Sequence, residues 1–202
     1  MKLYHAPASP YARKVTASAH HLGLMDRITL LPGAASPVAR DRTIAAANPL
    51  GKIPTAILDD GTVLADSRTI CEWLAHQAGD AGFLPAPGPA RWAVLRLHAI
   101  ADGLLDAALL ARYETALRPE ALRWPEWLAG QMGKIDAAVA ALEQAAEDLR
   151  GPITLGTITA GCALGYLDFR FAGHDWRTAA PRLADWWEGF ARTPPMAATV
   201  PA

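Results

Sequence analysis

The chain has 202 residues, 19 Lys and Arg against 20 Asp and Glu, and a formal net charge of -1. Hydrophobic residues make up 51 % and charged residues 19 %, a globular mix without the cationic surplus that binding nucleic acid requires. No apolar run approaches the ~20 residues that span a bilayer, the opening MKLYHAPASPYARKV lacks an apolar secretory core, and Cys71 and Cys162 are the only cysteines, so a cytoplasmic protein without membrane span, disulfides or zinc cluster is expected.

Lys2–His5 is the first strand candidate. Pro10–Gly23 follows as a helix, with Pro10 tolerated in its first turn and Gly23 as a stop. Arg27–Leu31 is a second strand and Pro37–Ala47 a short, irregular helix. Thr55–Leu58 and Thr62–Leu64 flank Asp59-Asp60-Gly61, a hairpin turn signal. Ser67–Ala78 is a helix headed by Asp66-Ser67. This alternation predicts a small sheet with helices on its faces over residues 1–78. Residues 79–90 (GDAGFLPAPGPA) have the Gly and Pro content of a linker.

Residues 91–202 show no strand pattern. Val94, Leu97, Ala101, Leu104 and Ala108 give Arg91–Leu117 a helical period, and Ile135, Val139, Leu142, Ala146 and Leu149 do the same for Ile135–Leu149. Ile158–Leu167 is apolar almost all round, which predicts a buried helix, and Pro181–Arg192 is a shorter last one. Trp92, Trp124, Trp127, Trp176, Trp186 and Trp187 fall here and are expected in the core. The six histidines show no metal-ligand spacing, so no metal is expected.

Three segments carry chemistry. Ala8-Ser9-Pro10-Tyr11-Ala12 lies where the first strand meets a helix start, a place of outward backbone N–H groups and positive dipole. Ser9 either caps that helix or offers its hydroxyl to a bound anion such as a thiolate. The text is close to a Cys-Pro-Tyr-Cys turn with Ser9 and Ala12 in the cysteine places, which removes disulfide exchange by the chain itself. Asn48-Pro49-Leu50-Gly51-Lys52-Ile53-Pro54 is a rigid turn before the third strand. A cis bond before Pro54 would turn the Ile53 backbone toward a ligand. Asp66-Ser67 is either an ordinary cap or a seat for an amino-acid head group, the carboxylate on the helix start and the ammonium on Asp66.

Together these segments resemble the cytosolic glutathione S-transferase family, and the likeness extends to the Pro-rich linker and to GPITLGTITAGCALGYLDF in the helical half. It implies an α/β thioredoxin-like N-terminal domain (1–78), a linker (79–90) and an all-α C-terminal domain (91–202). It implies glutathione as co-substrate, a homodimer, and a serine-type enzyme that activates the glutathione thiol through Ser9 for attack on a small electrophile. Pro54 matches the family's cis-proline. Ile53 would pair its backbone with the cysteinyl part of glutathione, Asp66 and Ser67 would hold the γ-glutamyl end, and Lys52 or part of Pro32–Arg42 would meet the glycine carboxylate. Tyr4, inside the strand, is assigned to packing. An electrophile site between the domains would use Tyr11 with Asp106, Leu109 and Tyr113, and Asp102 and Arg112 fall on the same helix. Asp102 would either lie on a solvated face or reach a partner's glutathione. A glutathione-dependent isomerase or dehalogenase and a non-catalytic binding protein are the alternatives.

One departure concerns the buried helix. The family's capping box, Ser/Thr-x-x-Asp, reads Thr154-Leu155-Gly156-Thr157 here, so its reciprocal bond is expected to weaken, and Thr157→Asp to stabilise by up to ~1 kcal/mol.

Overall fold

The computed structural model describes residues 1–202, and the chain divides into two units: Met1–Ala86 with Thr193–Ala202, and Pro87–Arg192. In the first unit β1 (Lys2–His5) is central. It pairs in parallel with β2 (Thr29–Pro32) and antiparallel with β3 (Thr55–Ile57), and β3 pairs antiparallel with β4 (Val63–Leu64). Parallel pairing demands a crossover between β1 and β2, and α1 (Pro10–His21) supplies it. Leu3 and the facing Ala56 are fully buried. β2 begins at Thr29, because Met25–Arg27 form a 3-10 turn. α2 (Arg42–Ala47) starts five residues later than its sequence suggests, where Asp41 accepts hydrogen bonds from the Thr43 N–H (2.8 Å) and Ile44 N–H (3.2 Å). α3 (Ser67–Ala78) has the expected bounds and ends at Gly79, whose φ of +66° suits glycine.

The last ten residues belong to the first unit, whereas the sequence assigns all of 91–202 to a helical domain. The cause is Arg13, a buried cation on α1. Its guanidinium donates to the Met196 carbonyl (3.1 Å) and to Thr199 Oγ1 (3.4 Å), which ties α10 (Pro194–Ala197) against α1. A buried arginine without such acceptors would be costly.

The second unit is helical throughout: α4 (Pro89–Ala116), α5 (Pro125–Gln144), α6 (Ala146–Leu149), α7 (Leu155–Arg170), α8 (Trp176–Ala179) and α9 (Pro181–Phe190). The architecture is therefore the expected one, a small mixed sheet with helices and then a helical unit. α5 begins ten residues before Ile135; its first half holds Gly130 and Gly133 and buries only Gln131, so it carries little periodic signal. α7 is buried from Leu155 to Leu167 and packs along α4. At Gly156 a Cβ would stand 2.9 Å from the Val94 carbonyl, so only glycine permits this approach. One turn on, His98 Nδ1 lies 2.9 Å from Thr159 Oγ1. Contacts advance together along both helices, so α4 and α7 run in the same direction.

Two expectations need correction. The capping box of α7 is intact: Thr157 Oγ1 accepts from the Thr154 N–H (2.8 Å) while Thr154 Oγ1 accepts from the Thr157 N–H (3.2 Å). A threonine hydroxyl reaches the position the acidic residue would fill, so the basis for a gain from Thr157→Asp disappears. The tryptophans split: Trp176, Trp186 and Trp187 are buried, but Trp92 and Trp124 are 61 % exposed. Trp92 stands in the first turn of α4 and Trp124 just ahead of α5, off the packed faces.

Carboxylates organise this unit. Neither α5 nor α9 has a capping side chain of its own. Glu114 of α4 accepts from the Trp124 N–H (2.7 Å) at the head of α5, and Glu143 of α5 accepts from the Leu183 N–H (2.7 Å) at the head of α9. Asp168 of α7 accepts from Trp176 Nε1 (3.2 Å), Trp187 Nε1 (2.9 Å) and both Arg177 amino groups (2.8 Å each).

Candidate functional site

The sheet topology brings the three chemical segments of the first unit together. β1 runs toward Ser9. β3 is antiparallel to it, so its start, preceded by Ile53-Pro54, lies beside the end of β1 at the Tyr4–Thr55 pair. β4 is antiparallel to β3, so its end at Leu64, just before Asp66-Ser67, lies at the same edge. β2 parallels β1 and delivers the segment that includes Arg40 to that edge as well. A shallow depression at the opposite end, lined by Met1, Arg27, Asp59 and Trp73, offers no comparable set of groups; there the N-terminal ammonium pairs with Asp59 at 3.3 Å.

Ser9 is the N-cap of α1, in extended backbone (φ -84°, ψ 117°), and its Oγ accepts from the Ala12 N–H at 3.2 Å. The two readings of Ser9 are therefore compatible. A hydroxyl has two lone pairs and one proton; the cap engages a lone pair, and no acceptor in the chain takes the proton. That proton is available to an anion, at the positive end of a 12-residue helix. Nearby His5 is half buried, and burial pushes its imidazole below the ordinary value, so it is neutral at pH 7 and adds no cation. Tyr11 lies on the same first turn, with the Lys14 ammonium 5.8 Å from its ring centroid.

The loop before β3 is held by Asn48, which is buried. Its Oδ1 accepts from the Leu50 N–H (3.0 Å) and its Nδ2 donates to Thr55 Oγ1 (2.9 Å) and to the Lys52 carbonyl (3.3 Å). Gly51 has φ +61°, a left-handed turn that turns the chain into Lys52. The Ile53–Pro54 peptide is cis, and Ile53 lies just past the end of the β1–β3 ladder. The Lys52 ammonium is exposed. Arg40, unselected within Pro32–Arg42 by the sequence, donates to the Pro49 carbonyl and so places a second cation on this loop.

At the head of α3, Asp66 is exposed and caps the helix through the Arg68 N–H (2.9 Å), leaving its other oxygen outward. Ser67 is only 1 % exposed, yet its hydroxyl has no hydrogen-bond partner in the chain. The Ala65–Asp66 peptide is also cis.

In the second unit, Asp106, Leu109 and Tyr113 recur at three and four residues along α4, which sets them on one face. Asp106 is exposed; Leu109 and Tyr113 are half-buried, and burial raises the Tyr113 phenol above its ordinary value. Asp102 departs from the solvated-face expectation: it is 1 % exposed, with its carboxylate 3.8 Å from His98 Nε2. No group of three or more His, Cys, Asp or Glu is arranged to hold a metal ion.

The chain matches the family model for the glutathione S-transferase N-terminal domain over residues 8–77 and that for the C-terminal domain over residues 125–188. It is 32 % identical to the uncharacterized GST-like protein YibF of Escherichia coli K12, across 96 % of this chain and 98 % of that protein. A glutathione transferase family member from Pseudomonas fluorescens Pf-5, solved with bound glutathione, superposes with a TM-score of 0.97 at 45 % identity, covering 100 % of this chain and 98 % of that one. The Pseudomonas fluorescens structure carrying S-(propanoic acid)-glutathione gives a TM-score of 0.93 at 44 % identity, with both chains fully covered. A glutathione S-transferase from Methylobacillus flagellatus KT with glutathione bound gives 0.90 at 34 % identity, over 100 % and 99 % of the two chains.

Proposed function

The chain belongs to the glutathione S-transferase family, and from that premise we propose that it binds glutathione at the sheet edge of its first unit and transfers it, as a thiolate, to a small electrophile. The observation that carries this reading is the state of Ser9: its Oγ caps α1 while its proton stays uncommitted at the helix start.

In this reading the Ser9 O–H donates to the glutathione sulfur and the α1 N-terminus adds its positive dipole. A free thiol ionises near pH ~8.5, and each unit of lowering corresponds to ~1.4 kcal/mol of anion stabilisation. One hydroxyl and a helix end together suit a lowering of one to two units, roughly. The Ile53 backbone receives the cysteinyl part beyond the ladder end, with Pro54 fixing the turn. Ser67 Oγ and the outward Asp66 oxygen receive the carboxylate and ammonium of the γ-glutamyl end. Lys52 and Arg40 supply positive charge for the glycine carboxylate. The sulfur lone pair then forms the S–C bond. The displaced electron pair leaves with a leaving group, or moves to the neighbouring carbon of an activated double bond and is protonated from solvent. No nucleophile of the chain is consumed. Tyr11, Asp106, Leu109 and Tyr113 are the side chains proposed to meet the electrophile, and a homodimer in the cytoplasm is the proposed setting.

The conjugate held by the Pseudomonas fluorescens relative favours an acidic substituent on sulfur among the products. The test is turnover with a panel of halides, epoxides and activated alkenes. Ser9→Ala is expected to lower kcat/KM by ~10-fold, the loss of the hydroxyl's share of about one pKa unit of thiolate stabilisation, with little change in glutathione affinity. Glutathione binding without turnover of any electrophile would leave a binding protein.

A further inference from the structure

In the first unit, the Asn48 side chain, the Thr55 hydroxyl and the Lys52 carbonyl close a hydrogen-bonded ring under the loop that leads into β3. Asn48 is 5 % exposed and Thr55 is fully buried. Asn48 Nδ2 donates to Thr55 Oγ1 (2.9 Å) and to the Lys52 carbonyl (3.3 Å), and Thr55 Oγ1 donates to that same carbonyl (2.7 Å). Chemistry fixes the direction of each bond. A carbonyl can only accept, so the single hydroxyl proton of Thr55 goes to Lys52 and its lone pair takes a proton of Asn48. Asn48 Oδ1 accepts from the Leu50 N–H (3.0 Å), which sets the orientation of the amide. The Asn48 backbone is held too. Its N–H donates to the Ile44 carbonyl (2.7 Å) at the end of α2, and its carbonyl accepts from the Gly51 N–H (2.8 Å).

The Lys52 carbonyl therefore points into the buried ring. The Lys52–Ile53 peptide is trans, and the C=O and N–H of a planar trans unit point in opposite directions. The Ile53 N–H is thus aimed away from the ring, and it donates to no group of the chain. The Ile53 side chain is packed as well: a Cβ added at Gly33 would stand 3.1 Å from Ile53 Cγ2. Asn48 and Thr55 fix the direction of this backbone donor from behind. A donor already aimed avoids the ordering cost that a mobile loop would incur on binding. We propose that Asn48 and Thr55 are positioning residues for glutathione, aiming the Ile53 N–H at the carbonyl of its cysteinyl residue. This role rests on the transferase reading and adds to it two side chains that meet no substrate atom.

Titration of the intact protein, well below its melting temperature, tests the role. The ligands are glutathione and γ-glutamyl-2-aminobutyryl-glycine, which has a methyl group in place of the thiol. Thr55→Val keeps the buried volume and removes the hydroxyl; Thr55→Ser keeps the hydroxyl and removes a buried methyl. Thr55→Val is expected to weaken both ligands by the same factor, about 5-fold, the scale of one hydrogen bond. Thr55→Ala, which loses both groups, is expected to show the same loss of affinity. Thr55→Ser is expected to melt lower than wild type yet to bind both ligands within about 2-fold of it. Affinity and stability then move separately, which a purely structural role does not allow. Wild-type affinity in Thr55→Val, or affinity that follows melting temperature through all the variants, overturns the positioning role and leaves the transferase reading in place. A loss confined to glutathione also overturns it, because the effect would then lie at the sulfur. Failure of the wild type to bind glutathione overturns the transferase reading and the positioning role with it.

Discussion

The two units use their polar groups in opposite ways. In the helical unit the key carboxylates are fully engaged: Asp168 takes two indole N–H groups and a forked guanidinium, while Glu114 and Glu143 cap helices that lack caps of their own. In the sheet unit, the site groups keep capacity in reserve: the Ser9 proton, the Ser67 hydroxyl and the Lys52 ammonium have no partner in the chain. In the proposed reading, the difference separates residues that hold the fold from residues that receive glutathione.

The largest stability effect should come from Asp168→Ala. It strands two partly buried indole donors and a guanidinium, at a cost of about 3 kcal/mol, and calorimetry should show a melting temperature lower by roughly 6–12 °C for a chain of this size. A shift no larger than that of an exposed substitution would break the comparison. Acid acts on the same carboxylates. Burial pushes Asp168 up, but Arg177 and the two indoles outweigh it, so the net pKa lies below the ordinary value; Glu143 follows the same course through Leu183 and Arg182. A depressed folded-state pKa means that the unfolded chain binds more protons. The stability is therefore complete above about pH 5 and is lost as pH falls further. Melts across pH 2–6 should show this loss, and Asp168→Asn should blunt it.

Thr157→Val is a smaller probe. It removes the hydroxyl that accepts from the Thr154 N–H and should cost about 1 kcal/mol, within the range for a lost cap contact. The smallest effect on stability, and the sharpest on the comparison, belongs to Ser67→Ala. With no internal partner lost, melting should change by less than about 0.5 kcal/mol, whereas glutathione affinity measured by titration should fall about 10-fold. A destabilisation like that of Asp168→Ala would mean that Ser67 serves the fold.

The segments of the sheet unit were legible because each has a local cause. Ser9-Pro10 and Asp66-Ser67 are helix starts, and Asn48-Pro49 and Gly51 mark a turn whose conformation follows from those residue types. The sheet order then joins these segments at one edge. What escaped the sequence depends on partners far along the chain. Arg13 draws residues 193–202 back to α1, Glu114 and Glu143 cap α5 and α9 from other helices, and Arg40 docks on the Pro49 carbonyl. None of these bonds has a spacing rule. The first half of α5 carries no sequence signal, because its glycines and exposed positions leave no apolar stripe. Thr157 stands where a capping box usually has an acid, and the bond forms all the same because it requires only an acceptor within reach.

Stabilisation of a bound thiolate by the Ser9 proton is tested most directly by the ionisation of protein-bound glutathione, followed by ultraviolet thiolate absorbance against pH. Ser9→Gly is the suitable partner, since glycine at an N-cap costs only a few tenths of a kcal/mol. The wild-type complex should ionise about one to two units below the ~8.5 of a free thiol, and Ser9→Gly should raise it by about one unit toward that value, the α1 N-terminus keeping the remainder, with melting almost unchanged. The same depressed ionisation in both proteins would contradict the role assigned to Ser9.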